Sequence, residues 1–237
     1  ATTDTSSYTT NLTKNGGNVM TDVKIAPSIL SADFAKMAEA VKNLKLWNAD
    51  YVHVDVMDGV FVPNITFGMP MVAALRKYTD MVLDVHLMIT KPERYVPEFI
   101  KAGSDVISFH PDASDDVGGT LDVIKAAGLK CGLVLNPDKG LELVEPYLDK
   151  VDVVTLMGVY AGFGGQKYIP ETTEKIKALK KLIAGRNVEI EMDGGATEEN
   201  AAEILNAGTD ILVAGSAVFR AADPKAAIAA LKAAKTK

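Results

Sequence analysis

The sequence predicts a single-domain α/β protein, a (β/α)8 TIM barrel, and three observations carry that prediction. From Lys24 onward, short runs rich in β-branched and aromatic residues alternate eight times with amphipathic helical stretches, with no linker between them. Three of the helical stretches close on one kind of turn, Ala102-Gly103, Ala127-Gly128 and Ala207-Gly208, each just before the next strand. Glycine there supplies the left-handed C-cap that returns the chain to the sheet. The residues able to do chemistry gather at strand ends, where a barrel keeps its active site. An open doubly wound sheet would want a GxGxxG turn after its first strand, and here that strand runs into Leu30-Ser31-Ala32-Asp33.

In chain order the predicted strands are 24–29, 51–56, 81–87, 105–109, 130–135, 151–156, 188–192 and 210–213. The predicted helices are 34–46, 71–78, 92–102, 116–127, 141–148, 172–183, 198–207 and 224–234. Residues 24–237 therefore form one catalytic barrel domain. Residues 1–23 are expected to be a flexible N-terminal extension, because 1–19 are rich in Thr, Ser, Asn and Gly without apolar periodicity. That stretch has no hydrophobic region of a secretory signal, no Arg and an Asp at position 4, so it is a poor targeting peptide. Met20 is a candidate for the original start.

With 48% hydrophobic residues in 237, the chain can bury a substantial core, and no apolar run reaches membrane-spanning length. A net charge of −6 argues against a nucleic-acid surface. An anionic substrate must then be captured locally. The single cysteine, Cys131, lies in an apolar run and reads as a small buried hydrophobe compatible with a reducing, cytoplasmic compartment.

The chemistry centres on 51–59, YVHVDVMDG. In a strand His53, Asp55 and Met57 lie two apart and share one face. An imidazole and a carboxylate there must pair, bind a metal or do chemistry, since burying them unpaired costs several kcal/mol. The alternation recurs as Asp84, His86 and Met88, and the run IEMDGG ends an apolar strand on Asp193. Barrel registration also brings Ser28, His110, Asn136 and Met157 to strand ends, so all three histidines of the chain lie there. His53, Asp55, His86 and Asp193 form a ligand set for one divalent cation, with zinc first and iron, manganese or cobalt also suited. The competing reading is two separate His–Asp pairs bridging adjacent strands.

Asp55 and Asp193, on strands two and seven, can approach a central substrate from opposite faces. An inversion by proton removal and return requires that. General acid–base catalysis supplies only ~10²–10⁴-fold, so a cation that takes up the charge of an enediolate is a needed partner. Asp193 also admits a plain turn reading, because DGG is a turn signal. Gly162, Gly164 and Gly165 follow strand six, Gly194 and Gly195 strand seven, and Gly215 and Ser216 strand eight. Their backbone N–H groups are the expected phosphate site, although glycines also make ordinary turns and Ser216 also suits a helix cap. Met57, Met88 and Met157 read either as core filling or as a polarisable lining that excludes water from the reacting carbon. The long loop after strand two, with Asp58-Gly59, Pro63-Asn64 and Phe67-Gly68, reads as a lid or a surface connection.

At these residues the chain resembles the ribulose-phosphate 3-epimerase family. The resemblance covers nearly everything from Lys24 onward and rests on nine segments. They are Ala26-Pro-Ser-Ile-Leu-Ser-Ala-Asp33, His53-Val-Asp-Val-Met-Asp-Gly59, Val62-Pro-Asn64, Asp84-Val-His-Leu-Met88, Phe109-His-Pro111, Leu135-Asn-Pro137, Gly162-Phe-Gly-Gly-Gln166, Met192-Asp-Gly-Gly195 and Val213-Ala-Gly-Ser216. It implies a metal held by His53, Asp55, His86 and Asp193, and Asp55 with Asp193 as the acid–base pair. It further implies Ser28 and His86 near the substrate, the methionine lining, and phosphate on the glycine loops and Ser216. The family interconverts D-ribulose 5-phosphate and D-xylulose 5-phosphate, and its members are dimers and hexamers, so a homo-oligomer is expected. Where the family usually reads Met-Ser/Thr-Val-Asn/Asp/Glu-Pro-Gly-Phe, this chain has Met157-Gly-Val-Tyr-Ala-Gly-Phe163. That segment borders the substrate, so the related allulose-6-phosphate 3-epimerase, acting on a hexulose phosphate, is the alternative. A non-catalytic sugar-phosphate-binding barrel is the further alternative. The related decarboxylases and aldolase-like enzymes carry Asp-x-Lys-x-x-Asp, and here Asp55-Val-Met-Asp58 has methionine in the lysine position.

Overall fold

All eight expected strands form: β1 Lys24–Pro27, β2 Tyr51–Met57, β3 Val82–Met88, β4 Val106–Phe109, β5 Lys130–Leu135, β6 Val153–Met157, β7 Glu189–Asp193 and β8 Ile211–Ala214. They belong to a computed structural model that describes residues 23–235. The extension expected over 1–23 therefore lies, apart from Val23, outside the described residues. Every strand pairing is parallel, and the order β1-β8-β7-β6-β5-β4-β3-β2 runs once around a ring. The last gap, between β1 and β2, is closed by a parallel bridge between Ser28 and His53 and by the Asp50 N–H donating to the Ile25 carbonyl at 2.9 Å.

The helices are α1 Met37–Leu46, α2 Met69–Arg76, α3 Val96–Ala102, α4 Val117–Ala126, α5 Glu171–Leu182, α6 Ala201–Ala207, α7 Ser216–Phe219 and α8 Pro224–Ala233. In α1 the buried residues are Met37, Ala40, Val41 and Leu44, the spacing of one helical face. That face meets the outward side of the sheet, where Val52, Val54, Leu83 and Val85 are fully buried. The three expected glycine turns hold, with φ of 106°, 80° and 130° at Gly103, Gly128 and Gly208.

One expected helix does not form. Residues 141–148 make two 3-10 turns, Leu141–Leu143 and Glu145–Tyr147. Pro146 has no N–H to give, and its ring would collide with the carbonyl of Glu142 in a continuous helix. Three further helices start later than expected: the first turns of two, Phe34–Lys36 and Pro92–Arg94, are 3-10, and the one expected over 198–207 begins at Ala201 after a turn.

A four-fold repeat closes the N-terminal end of the barrel. Asp50, Asp105, Asp152 and Asp210 stand just before β2, β4, β6 and β8. Each carboxylate accepts the backbone N–H of one residue on the preceding strand: Ile25 at 2.8 Å, Leu83 at 2.8 Å, Cys131 at 2.9 Å and Ile190 at 2.9 Å. Each aspartate also donates its own N–H to the carbonyl of that same residue, at 2.8–3.0 Å. These clasps lock the register of strand pairs β1/β2, β3/β4, β5/β6 and β7/β8 before the chemistry-bearing residues are reached.

Candidate active site

The inward side of the strands is polar to a degree unusual for a barrel core, which is ordinarily filled by branched apolar residues. Ser28, His53, Asp55, Asp84, His86, Ser108, His110, Thr155, Glu191 and Asp193 are all buried. Register explains their meeting. On β2 and β3, His53 pairs Asp84, Asp55 pairs His86 and Met57 pairs Met88. On β6 and β7, Thr155 pairs Glu191 and Met157 pairs Asp193.

Four atoms converge at the upper layer. His53 Nε2 lies 3.3 Å from both Asp55 Oδ1 and Asp193 Oδ2. His86 Nδ1 lies 3.2 Å from Asp55 Oδ1 and 3.3 Å from Asp193 Oδ2. The reading of two separate His–Asp pairs thus gives way to a single cluster. Ligands bound at ~2.0–2.2 Å in a tetrahedral shell stand about this far apart. His53 Nε2 is completely buried and has no hydrogen-bond partner, which a lone pair aimed at a cation would explain. The donor set, two imidazoles and two carboxylates, fits a divalent cation.

The same crowding of imidazoles and carboxylates shifts each group. Burial alone would raise the carboxyl of Asp55, but the imidazoles of His53 and His86 outweigh it and hold Asp55 far below the carboxylate range. Asp193 is lowered too: burial and the neighbouring Asp55 push it up, and the two histidines bring it down. Burial would lower His53, yet Asp55, Asp84 and Asp193 raise it well above the imidazole range. His110, buried and facing His86, is held neutral well below that range. Its Nε2 lies 2.9 Å from His86 Nε2, with the two rings stacked.

Above the cluster opens a cavity of about 500 Å³. Ser28, Asp55 and Asp193 form part of its wall, with Met57, Met88 and Met157 beside them. Gly162, Gly164, Gly165, Gly194, Gly195, Gly215 and Ser216 line it as well. His86, 1% exposed, reaches Asp55 and Asp193 through Nδ1 and is not among the side chains of the cavity wall. The Ser28 hydroxyl donates to Asp55 Oδ2 at 2.5 Å. Gly195, with φ of 76°, would drive a Cβ to within 2.6 Å of the Tyr168 backbone nitrogen, so only glycine fits that turn. The Asn200 side chain clamps the turn by donating to the Gly195 carbonyl at 2.9 Å while accepting from the Thr197 N–H at 2.8 Å.

The loop after β2 is tied down. Asp58 accepts from the N–H groups of Val60, Phe61 and Thr90 at 2.7–2.9 Å, and Asn64 donates to the Gly162 carbonyl at 2.9 Å. Phe61 thereby packs on the His110 ring. The sequence reading missed Asn200, Tyr168 and the clasp of Asp58. Glu191, two residues before Asp193 and so on its face, was findable from strand period alone.

A profile of the Ribulose-phosphate 3 epimerase family matches residues 24–219. The chain belongs to that family. It is 50% identical over 218 residues to the chloroplastic ribulose-5-phosphate-3-epimerase of Arabidopsis thaliana, covering 90% of this chain and 78% of that one. It is 46% identical over 216 residues to the ribulose-phosphate 3-epimerase of Bacillus subtilis, covering 90% and 100%. The enzyme of the same name from Escherichia coli K12 is 46% identical over 207 residues, covering 86% and 92%. A solved 3-hexulose-6-phosphate synthase superposes with a TM-score of 0.64 over 91% of this chain and all of its own, but at 18% identity that likeness shows the barrel alone. Among the described residues no helix is long and apolar enough to cross a membrane.

Proposed function

We propose that this chain is a metal-assisted epimerase that inverts C3 of D-ribulose 5-phosphate to give D-xylulose 5-phosphate, and the reverse. The observation that carries the reading is the pair Asp55 and Asp193, brought from β2 and β7 to one cluster while both face the cavity. One carboxylate takes the C3 proton, which is acidified by the neighbouring carbonyl, and the other in its acid form returns a proton to the opposite face. Ser28 holds Asp55 Oδ2 in place. The methionines keep water from the reacting carbon, and the glycine turns with Ser216 receive the phosphate through backbone N–H groups. His53, Asp55, His86 and Asp193 would hold one divalent cation, zinc first. Its chemistry is positive charge beside the oxygens that gain negative charge when the proton leaves.

The names of the matched relatives favour the pentulose. The buried, unpaired Cys131 supports a reducing, cytoplasmic setting. Val60 and Ile65, both more than three-quarters exposed on the loop after β2, supply an apolar surface for a homo-oligomer, dimer or hexamer.

The test is turnover of D-ribulose 5-phosphate beside D-allulose 6-phosphate, run in D₂O on metal-loaded and chelated protein. Pentulose preference, deuterium appearing at C3 of product and loss on chelation are expected. Turnover of neither sugar by loaded protein would overturn the reading, and a hexulose preference would move it to the alternative.

A further inference from the structure

One layer below the four-ligand cluster, the barrel interior holds a second set of polar side chains that the proposed reaction does not use. His53 Nδ1 lies 2.7 Å from Asp84 Oδ2. A carboxylate oxygen of Asp84 lies within 4.8 Å of one of Glu191, and Glu191 Oε1 accepts from the Thr155 hydroxyl at 2.9 Å. His53 and Asp84 are register partners across β2/β3, and Thr155 and Glu191 are register partners across β6/β7. The row Thr155, Glu191, Asp84 and His53 thus crosses the lumen between two strand pairs that share no sheet edge. All four side chains are 2% exposed or less.

The set resembles a cation site of its own, since ligand atoms of His53, Asp84 and Glu191 lie within 4.8 Å of one another. His53 Nδ1 is already spent on Asp84 and Glu191 Oε1 on Thr155, however. What remains open is the other nitrogen of the same ring: His53 Nε2, buried and without a hydrogen-bond partner. A neutral imidazole, the form that binds a cation, carries its lone pair on Nε2 when it donates Nδ1–H to a carboxylate. Without Asp84 both tautomers are available, and the ring can turn about its χ2 torsion.

We infer that Asp84 is a positioning residue for the cation, with Glu191 and Thr155 holding its carboxylate in place. It fixes the His53 tautomer and ring plane, so that Nε2 points at Asp55, His86 and Asp193. This rests on the metal-assisted reading of the site. It adds that the orientation of His53 is set in part from the far wall of the barrel, by β6 and β7.

The experiment is zinc affinity of purified full-length protein, read by competition with a chromophoric chelator, together with the visible spectrum of the Co²⁺-loaded form. Asp84→Asn keeps the shape and removes the charge, and it should weaken zinc binding by about 10–100-fold and shift the Co²⁺ bands. Thr155→Val and Glu191→Gln should weaken binding in the same direction by a smaller factor. Asp152→Asn, in a register clasp far from the cation, should leave affinity and spectrum unchanged. Thermal unfolding of the metal-free forms identifies any variant that fails to fold, and the milder Thr155→Val then carries the comparison. Wild-type affinity and spectrum in folded Asp84→Asn and Thr155→Val would overturn the inference and leave the metal-assisted reading standing. Failure of the wild-type protein to bind zinc or cobalt would overturn both.

Discussion

His86 Nδ1 stands 3.3 Å from Asp193 Oδ2 although β3 and β7 lie on opposite sides of the ring. The contact exists because Asp193 reaches inward to the same small volume that His53 and Asp55 reach from β2. A carboxylate so placed can hold a cation and move a proton at once. Asp193→Asn should therefore lower kcat by at least ~10²-fold and weaken metal binding together. Steady-state kinetics paired with metal content of the purified variant checks this, and loss of metal with full kcat would contradict it.

The aspartate clasps predict stability without function. Asp152→Ala leaves the Cys131 N–H without its side-chain acceptor, and a buried unpaired donor costs about 1–3 kcal/mol. Calorimetry should show a Tm lower by several degrees, with kcat/KM unchanged at a temperature where the variant is folded. The same holds for Asp105→Ala at Leu83.

Gly158 marks this chain's own version of the loop after β6. A Cβ there would meet the Gly194 carbonyl at 2.2 Å and Tyr168 Cδ2 at 2.8 Å. Gly158→Ser, which restores the residue usual in the family, should destabilise the protein by about 1–3 kcal/mol through overpacking. It should also raise KM for the phosphorylated substrate, because the displaced turn is Gly194-Gly195. Urea unfolding and KM together decide, and a neutral outcome in both would refute the close approach.

Three backbone N–H groups, from Thr90, Val60 and Phe61, hold Asp58 below the carboxylate range against the opposing effect of its partial burial. A lowered carboxyl stabilises the loop above its unfolded value, and that contribution is lost as pH falls through the folded value. Amide exchange at Val60, Phe61 and Thr90 should thus rise selectively below about pH 4. Asp58→Ala should show the fast exchange at neutral pH, with KM raised through the Asn64–Gly162 tie.

Cys131 is buried, and desolvation with the nearby Asp152 carboxylate pushes its thiol up to about 11. The thiolate is the reactive form, so iodoacetamide at neutral pH should leave the folded protein unlabelled and label it only after denaturation. Mass spectrometry of the intact protein reads the difference.

The order of eight strands and seven of the eight expected helical segments follow from local pattern, because periodicity and glycine caps are short-range signals. The 141–148 segment failed for the opposite reason: its apolar spacing suits a helix, and one proline overrides it. Candidate site residues were legible where chemistry interrupts an apolar strand, as at His53, Asp55, His86 and Asp193. Strand period also marks Asp84 and Glu191 as sharing their faces. What the chain alone does not specify is distance across the ring. Only closure of the barrel brings β2, β3 and β7 together and sets Thr155 and Glu191 across from Asp84 and His53. Local sequence sets which side a residue faces, and the shear and closure of the whole sheet set what it meets there.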